Sequence, residues 1–397
     1  MFRRLSFAMS TLVLAALAPA QDRPIDAAAA QGDPEAREIA ELAAKPDSWI
    51  LQQVGGERIV LDGQTLDLRM QYLFHRGREA EAAQAPSDQP QADPFATPES
   101  SAAIRREANQ RWSRRTRPGP ELAWVRDEQV PARDGQPIPV RIYRPDTPGT
   151  LPILVYYHGG GWLFGDIAAV DRSMRRLAHE ASVVIVSTEY RLAPEHPYPG
   201  SWNDAEDAFD WAVANADRLD GDSSRICVGG DSAGGNLSIA VTTRTQRAGK
   251  ASPACQLLYY AAVDNRPVPE MRIDYASARL FWGGFGLDVP FTEEVHRRVF
   301  PGQDLSQPEI SPLLADDIAG MPPTLVASAG FDPLRDSDRA YARALEEAGV
   351  RTVFLEYPSL PHGFLQQTAV TAEADRAAGE SAREFGKLAR ELEVGER

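Results

Sequence analysis

Gly230-Asp231-Ser232-Ala233-Gly234 is a G-x-S-x-G stretch between the apolar run RICVGG and a run of apolar residues at helical spacing. A serine held on a sharp strand-to-helix corner can act as a nucleophile, with the helix N-terminus facing the negative charge that develops. Glycines at either end leave room where the two backbones approach. Taken alone, the stretch also fits a serine that caps a helix in a glycine-rich turn. Upstream, His158-Gly159-Gly160-Gly161-Trp162 follows the apolar run PILVYY. Consecutive glycines leave backbone N–H groups uncovered, so Gly159, Gly160 and Gly161 can donate to an oxyanion together with the N–H of Ala233. A phosphate-binding glycine loop fits poorly, because neither a G-x-G-x-x-G nor a G-K-[ST] spacing follows. His158 itself reads as an organiser of the loop.

A serine hydroxyl needs a base, and the base needs a carboxylate to hold its tautomer and stabilise the imidazolium. Of the 6 histidines, His362 lies in PSLPHGF, just past the apolar run TVFLEY. Asp332, in SAGFDPLRDSD, follows TLVASAG. The chain order Ser232, Asp332, His362 is the α/β-hydrolase order of nucleophile, acid and base. Asp336 and Asp338 stand nearby but read as acids of the next helix's first turn. His179 and His296 lie on helical patterns and read as surface or packing residues. His196, in a proline-rich loop, reads as structural.

Such residues must be brought together by a scaffold. AWVRDEQV and IPVRIYRP alternate around a turn at RDGQP and predict a hairpin. PILVYY, VVIVST, RICVGG, CQLLYY, TLVASAG and TVFLEY read as buried strands. Helical patterns lie between most of them, at Ala169–Glu180, Asn203–Ala216, Gly234–Arg247 and Asp336–Ala348. Strand alternating with helix predicts an α/β fold whose mostly parallel sheet is covered on both faces, with its site at the carboxyl ends of the strands.

The stretches HGGGW, YRLAPEHPYP, GDSAGGNL, SPLLA, PPTLVASAGFDPLRDSD and HGF resemble those of the hormone-sensitive-lipase-like α/β-hydrolases, the GDSAG carboxylesterases of bacterial family IV. The resemblance runs from about Trp124 to Phe364. It implies Ser232 as nucleophile, Asp332 as acid and His362 as base. It implies an oxyanion hole from Gly160, Gly161 and the N–H of Ala233, with Gly159 shaping the loop and Arg191 and Glu195 organising their own. It also implies a helical cap, from helices before about Gly119 and an insertion over about 265–317 containing RLFWGGFGL. The chain departs from the family in YYAAVD, where a proline is usual, and in Pro361 ahead of His362; both bear on the shape of the pocket. The function implied is a serine carboxylesterase acting on small-molecule esters with short to medium acyl chains. The same residues would serve an amidase or a lactonase. A non-catalytic small-molecule binder would be marked by loss of a triad residue, and all three are present.

The rest of the 397 residues bounds this reading. A net charge of −15, a pI near 5.0 and no long basic run argue against a nucleic-acid partner. No cluster has metal-ligand spacing, so no metal or other cofactor is implied. Arg3 and Arg4, the apolar run Leu5 to Leu17 and Ala18-Pro19-Ala20 read as a signal peptide over 1–20, cleaved near Ala20, which predicts a periplasmic or secreted enzyme. No later run is long and apolar enough for a stable membrane anchor. Residues 21–118 are expected to hold a polar leader, the cap helices and a flexible linker near 83–100, and 119–397 the catalytic domain, which could pair as a homodimer. Cys227 and Cys255 each sit in an apolar run and are expected as buried free thiols rather than a bridge.

Overall fold

The computed structural model describes residues 33–83, 93–316 and 318–392. The expected signal segment and the polar stretch after it, up to residue 32, lie outside the described residues, as does 84–92 of the expected linker. The N-terminal segment folds as α1 (Pro34–Ala44), α2 (Asp47–Gln53), a small antiparallel pair β1 (Val60–Leu61) and β2 (Gln64–Thr65), α3 (Leu68–Ala83) and α4 (Pro98–Arg115). Local chemistry sets these ends. Asp33 caps α1, its carboxylate accepting from the N–H of Glu35 at 3.0 Å, and Thr97 caps α4, accepting from the N–H of Ser100 at 3.2 Å.

The remaining described residues build one 8-stranded sheet. The hairpin β3 (Trp124–Pro131) and β4 (Pro137–Arg144) is followed by β5 (Leu151–Tyr157), α5 (Ile167–Ala181), β6 (Val184–Thr188), α6 (Gly200–Ala214), β7 (Gly221–Asp231), α7 (Ala233–Arg247) and β8 (Gln256–Tyr259). Three short helices intervene, α8 (Val268–Asp274), α9 (Ala276–Phe281) and α10 (Val289–Val299), before β9 (Thr324–Phe331), α11 (Arg335–Glu347), β10 (Thr352–Pro361) and α12 (Ala372–Arg390). The strand order is β10-β9-β8-β7-β5-β6-β4-β3, antiparallel only where β4 meets β3 and β6. This is the expected mostly parallel sheet.

Alternation along the strands explains why both faces are covered. Ile153, Val155 and Tyr157 of β5 share a core with Trp202 and Phe209 of α6 and Leu237 of α7. Leu154 and Tyr156 face the other way, onto Met174 and Leu177 of α5 and Phe385 of α12. The winding reverses between β5 and β7: α5 leaves toward one face and α7 toward the other, which opens a crevice at the carboxyl ends of these two strands. Above it, Ile39, Leu42, Ile50 and Leu68 of the N-terminal segment share a further cluster with Phe281 and Phe285 of the stretch between β8 and β9. Phe331, the residue before Asp332, belongs to the same cluster.

The expectation of free thiols is overturned. Cys227 and Cys255 form a disulfide, with Cα atoms 4.6 Å apart. Spacing along the chain says nothing of the register between two parallel strands. Here Val228 pairs with Gln256, which sets the preceding cysteines side by side in the core.

Glu189, just beyond β6, accepts from the N–H of Ile167 at 2.6 Å, and burial pushes its carboxyl up to about 7. Below pH 4.5 the folded and unfolded chains both hold this proton. Between about pH 4.5 and 7 the unfolded chain has released it while the folded chain keeps it, so stability falls as pH rises through that window. Glu189→Gln, which keeps the acceptor oxygen, should therefore stabilise the protein at pH 8 by a few kcal/mol, on the order of 3, and change little at pH 4.5. Urea midpoints at the two pH values measure this; a difference that does not depend on pH would contradict it.

Candidate active site

Ser232 follows β7 directly and has φ 54° and ψ −115°, a conformation that non-glycine residues adopt only when their surroundings force it. The corner is tight because β5 lies against it. A Cβ on Gly234 would meet the carbonyl oxygen of Tyr157 at 1.8 Å, and one on Gly230 would meet the same oxygen at 2.4 Å. The two glycines thus let β5 and α7 approach, and the approach holds Ser232 up at the start of α7.

Asp332 leaves the end of β9 and His362 the end of β10, which pair in parallel. The structure brings the three together. His362 Nε2 lies 3.0 Å from Ser232 Oγ, and His362 Nδ1 lies 2.7 Å from Asp332 Oδ2. Asp332 is fully buried, and its other oxygen accepts from the N–H of Leu334 at 2.9 Å. The ring of Tyr260 stands edge-on to His362 at 4.9 Å between centroids. An imidazole so placed can take the serine proton on Nε2 while its Nδ1–H stays directed at the carboxylate.

The neighbouring acids do other work. Asp336 accepts from the N–H of Ser277 at 2.8 Å and from Arg335 at 2.9 Å, which joins α9 to α11. Arg335, fully buried, also reaches Asp62 at 2.6 Å and lies over the ring of Phe281. The N-terminal hairpin, the acid loop and α9 are thereby tied at one residue. Asp338 sits buried against the hydroxyl of Ser328 at 2.9 Å, and burial, with Asp332 nearby, raises its pKa well above the ordinary value.

The glycine loop after β5 is organised differently from the expectation at one position. The N–H of Gly159 donates to Asp231 Oδ1 at 2.9 Å, so it is spent on the loop and does not face the serine as an oxyanion donor. The N–H groups of Gly160 and Gly161 have no partner among the described residues, and Gly161 and Ala233 line a cavity with Ser232. The backbone turns Gly159 away because Asp231, on the elbow itself, gathers three donors. Besides Gly159 it accepts from the hydroxyl of Tyr156 at 2.8 Å and from Gln366 at 3.2 Å, so the loops after β5, β7 and β10 meet on one buried carboxylate. Tyr156 and Gln366 escape a reading of the sequence because only the packing of three distant loops gives them a role.

His158 is buried against Tyr190, whose hydroxyl donates to the His158 carbonyl at 2.6 Å, and burial lowers its pKa, leaving a neutral imidazole within the loop. Arg191 grips Asp204 through two nitrogens at 2.8 and 2.5 Å. Glu195 accepts from Arg105 of α4 at 2.6 Å. His179 is exposed on α5, and His196 is exposed in its loop. His296 is a departure: it is neither a surface nor a packing residue alone, but lines the cavity that holds Ser232. That cavity measures about 50 Å³, and Met271, Trp282, Leu287 and Phe291 make most of its wall apolar. Among the described residues no group of three or more His, Cys, Asp or Glu could hold a metal ion, and no helix is long and apolar enough to cross a membrane.

Comparison with known proteins supports the fold and an ester-hydrolysing activity. A family profile described as the alpha/beta hydrolase fold matches residues 154–366. The chain is 37% identical over 318 residues to the carboxylic ester hydrolase LipN of Mycobacterium tuberculosis, covering 78% of this chain and 80% of that one. It is 34% identical over 257 residues to an ethyl acetate hydrolase of Pseudomonas putida, covering 63% of this chain and 79% of the relative. Among solved structures, an alpha/beta hydrolase enzyme from the metagenome of Lake Arreo, Spain, superposes with a TM-score of 0.73 at 34% identity, over 81% of this chain and 98% of the other. A sheet of this order, a serine on a strained elbow at the end of β7, and relatives alike over most of their length place the protein in one family: the chain belongs to the α/β-hydrolase fold, in its hormone-sensitive-lipase-like branch, and is a carboxylic ester hydrolase.

Proposed function

We propose that the protein is a serine carboxylesterase working through Ser232, His362 and Asp332. The observation that carries this reading is the unbroken chain of contacts, 3.0 Å from Ser232 Oγ to His362 Nε2 and 2.7 Å from His362 Nδ1 to Asp332. As Ser232 Oγ attacks the ester carbonyl, its proton passes to His362 Nε2. Asp332 holds the imidazolium that forms. The carbonyl oxygen, now an oxyanion, takes hydrogen bonds from the N–H groups of Gly160, Gly161 and Ala233, at the positive end of α7. His362 returns the proton to the departing alcohol. A water then attacks the acyl-enzyme, giving its proton to His362, and collapse of the second tetrahedral intermediate frees the acid and restores the Ser232 hydroxyl.

A short acyl chain suits the site best. The cavity at Ser232, about 50 Å³, has room for a few carbon atoms, and most of its wall is apolar. The relative named for ethyl acetate supports the same preference. In a series of p-nitrophenyl esters from acetate to palmitate, kcat/KM should peak at or below about six acyl carbons. A peak among the long chains would overturn the preference.

We likewise propose that the enzyme is exported and begins near Gln21. The order of charged, apolar and small residues over 1–20 supports export, and so does the disulfide, which persists in oxidising compartments. Sequencing of the exported protein from its N-terminus should start near Gln21; an intact Met1 would refute cleavage.

A further inference from the structure

His296, on α10, faces the cavity that holds Ser232. It is half-buried, and neither ring nitrogen has a hydrogen-bond partner among the described residues. Burial alone acts on it and pushes its pKa down to about 4, so at neutral pH it is an uncharged imidazole. Such a ring offers one N–H donor and one bare nitrogen acceptor.

The polar side chains beside it are committed to one another. Thr292 accepts from Trp282 Nε1 at 3.0 Å and donates to the carbonyl of Asp288 at 2.9 Å. Asp264 is occupied by the guanidinium of Arg266 at 2.6 Å and the hydroxyl of Tyr275 at 2.8 Å. The amide of Asn265 donates to the carbonyls of Ala262 at 3.1 Å and Ile310 at 2.6 Å. His296 therefore brings unspent hydrogen-bonding capacity to an otherwise apolar wall. A plain alkyl chain filling the cavity would displace water from the ring and leave it unpaired, which is unfavourable for a polar group. A hydroxyl on that chain could donate to the bare nitrogen or accept from the N–H.

We infer that His296 is a specificity-determining residue, and that the enzyme prefers esters whose chain in this cavity carries a hydroxyl group over plain alkyl esters of the same length. The inference rests on the serine-esterase reading of the cavity. The hydroxyl can belong to the acyl part or to the alcohol part, and two substrate pairs separate these sources. The acyl pair is methyl 3-hydroxybutyrate against methyl butyrate. The alcohol pair is 3-hydroxypropyl acetate against propyl acetate.

In one of the two pairs the wild-type enzyme should favour the hydroxylated ester about ten-fold in kcat/KM. His296→Phe should bring that ratio close to one, and His296→Gln, which keeps a donor and an acceptor, should retain much of it. No preference in either pair, or a preference that survives His296→Phe, would overturn the inference. The wild-type ratios can overturn it whether or not the variants fold. Failure of the serine reading would look different: Ser232→Ala would then hydrolyse all four esters as fast as wild type.

Discussion

Ser232→Ala should lower kcat on a p-nitrophenyl ester by roughly 10⁶-fold and leave the fold intact. The size follows from the role: with Oγ gone there is no atom to form the acyl-enzyme, and only the oxyanion donors and binding remain to assist attack by water. Tolerance of the change follows from geometry. The Ser232 side chain makes no capping bond to α7, so its removal leaves no helix N–H newly unpaired. The strained backbone at φ 54° is held by Gly230 and Gly234 packing against Tyr157, not by the hydroxyl. Thermal midpoint and circular dichroism of the variant should match wild type. Full activity in the variant would rule Ser232 out as nucleophile.

Asp332→Asn should lower kcat by about 10⁴-fold. Asp332 Oδ2 accepts from His362 Nδ1 at 2.7 Å, and this contact keeps the other nitrogen, Nε2, bare toward Ser232. An asparagine that turns its amide toward Nδ1 favours the opposite tautomer, which places a proton on Nε2 and leaves it unable to take the serine proton. The carboxamide also cannot balance the imidazolium charge. Two neighbours serve as controls for local damage. Asp338→Asn should change kcat little, because burial already raises the pKa of Asp338 well above the ordinary value and its contact to Ser328 survives the change. Asp336→Asn loosens α9 and α11 without touching His362, so it should act on stability and KM more than on kcat. A large loss of kcat in Asp336→Asn with a small one in Asp332→Asn would reassign the acid.

Much of the scaffold is legible in the chain because the signals for it are local. The β3–β4 hairpin and the six buried runs that become β5 to β10 show in their alternation and apolarity, and the intervening helices in their spacing and caps. Helix ends move by a few residues, as with α6, which begins at Gly200 rather than Asn203. The parts that escape are those fixed by contacts between distant stretches. Gly159 looks the same as Gly160 and Gly161 in sequence, and only its hydrogen bond to Asp231 sets it apart. His296 sits on an ordinary helical pattern, and its place at the cavity depends on how α10 packs over Ser232.

The sequence by itself determined the alternation of strands and helices, the short motifs that carry Ser232, Asp332 and His362, and glycines at the corners where backbones must meet, since each depends on neighbours within a few positions. The tertiary structure decided that Cys227 lies beside Cys255, that one carboxylate at Asp231 joins three loops, and how small and how polar the cavity at Ser232 is. The physical reason is the same in all three. Register between parallel strands and the packing of helices over the sheet are settled by non-local burial and hydrogen bonding, and periodicity along the chain carries no record of them.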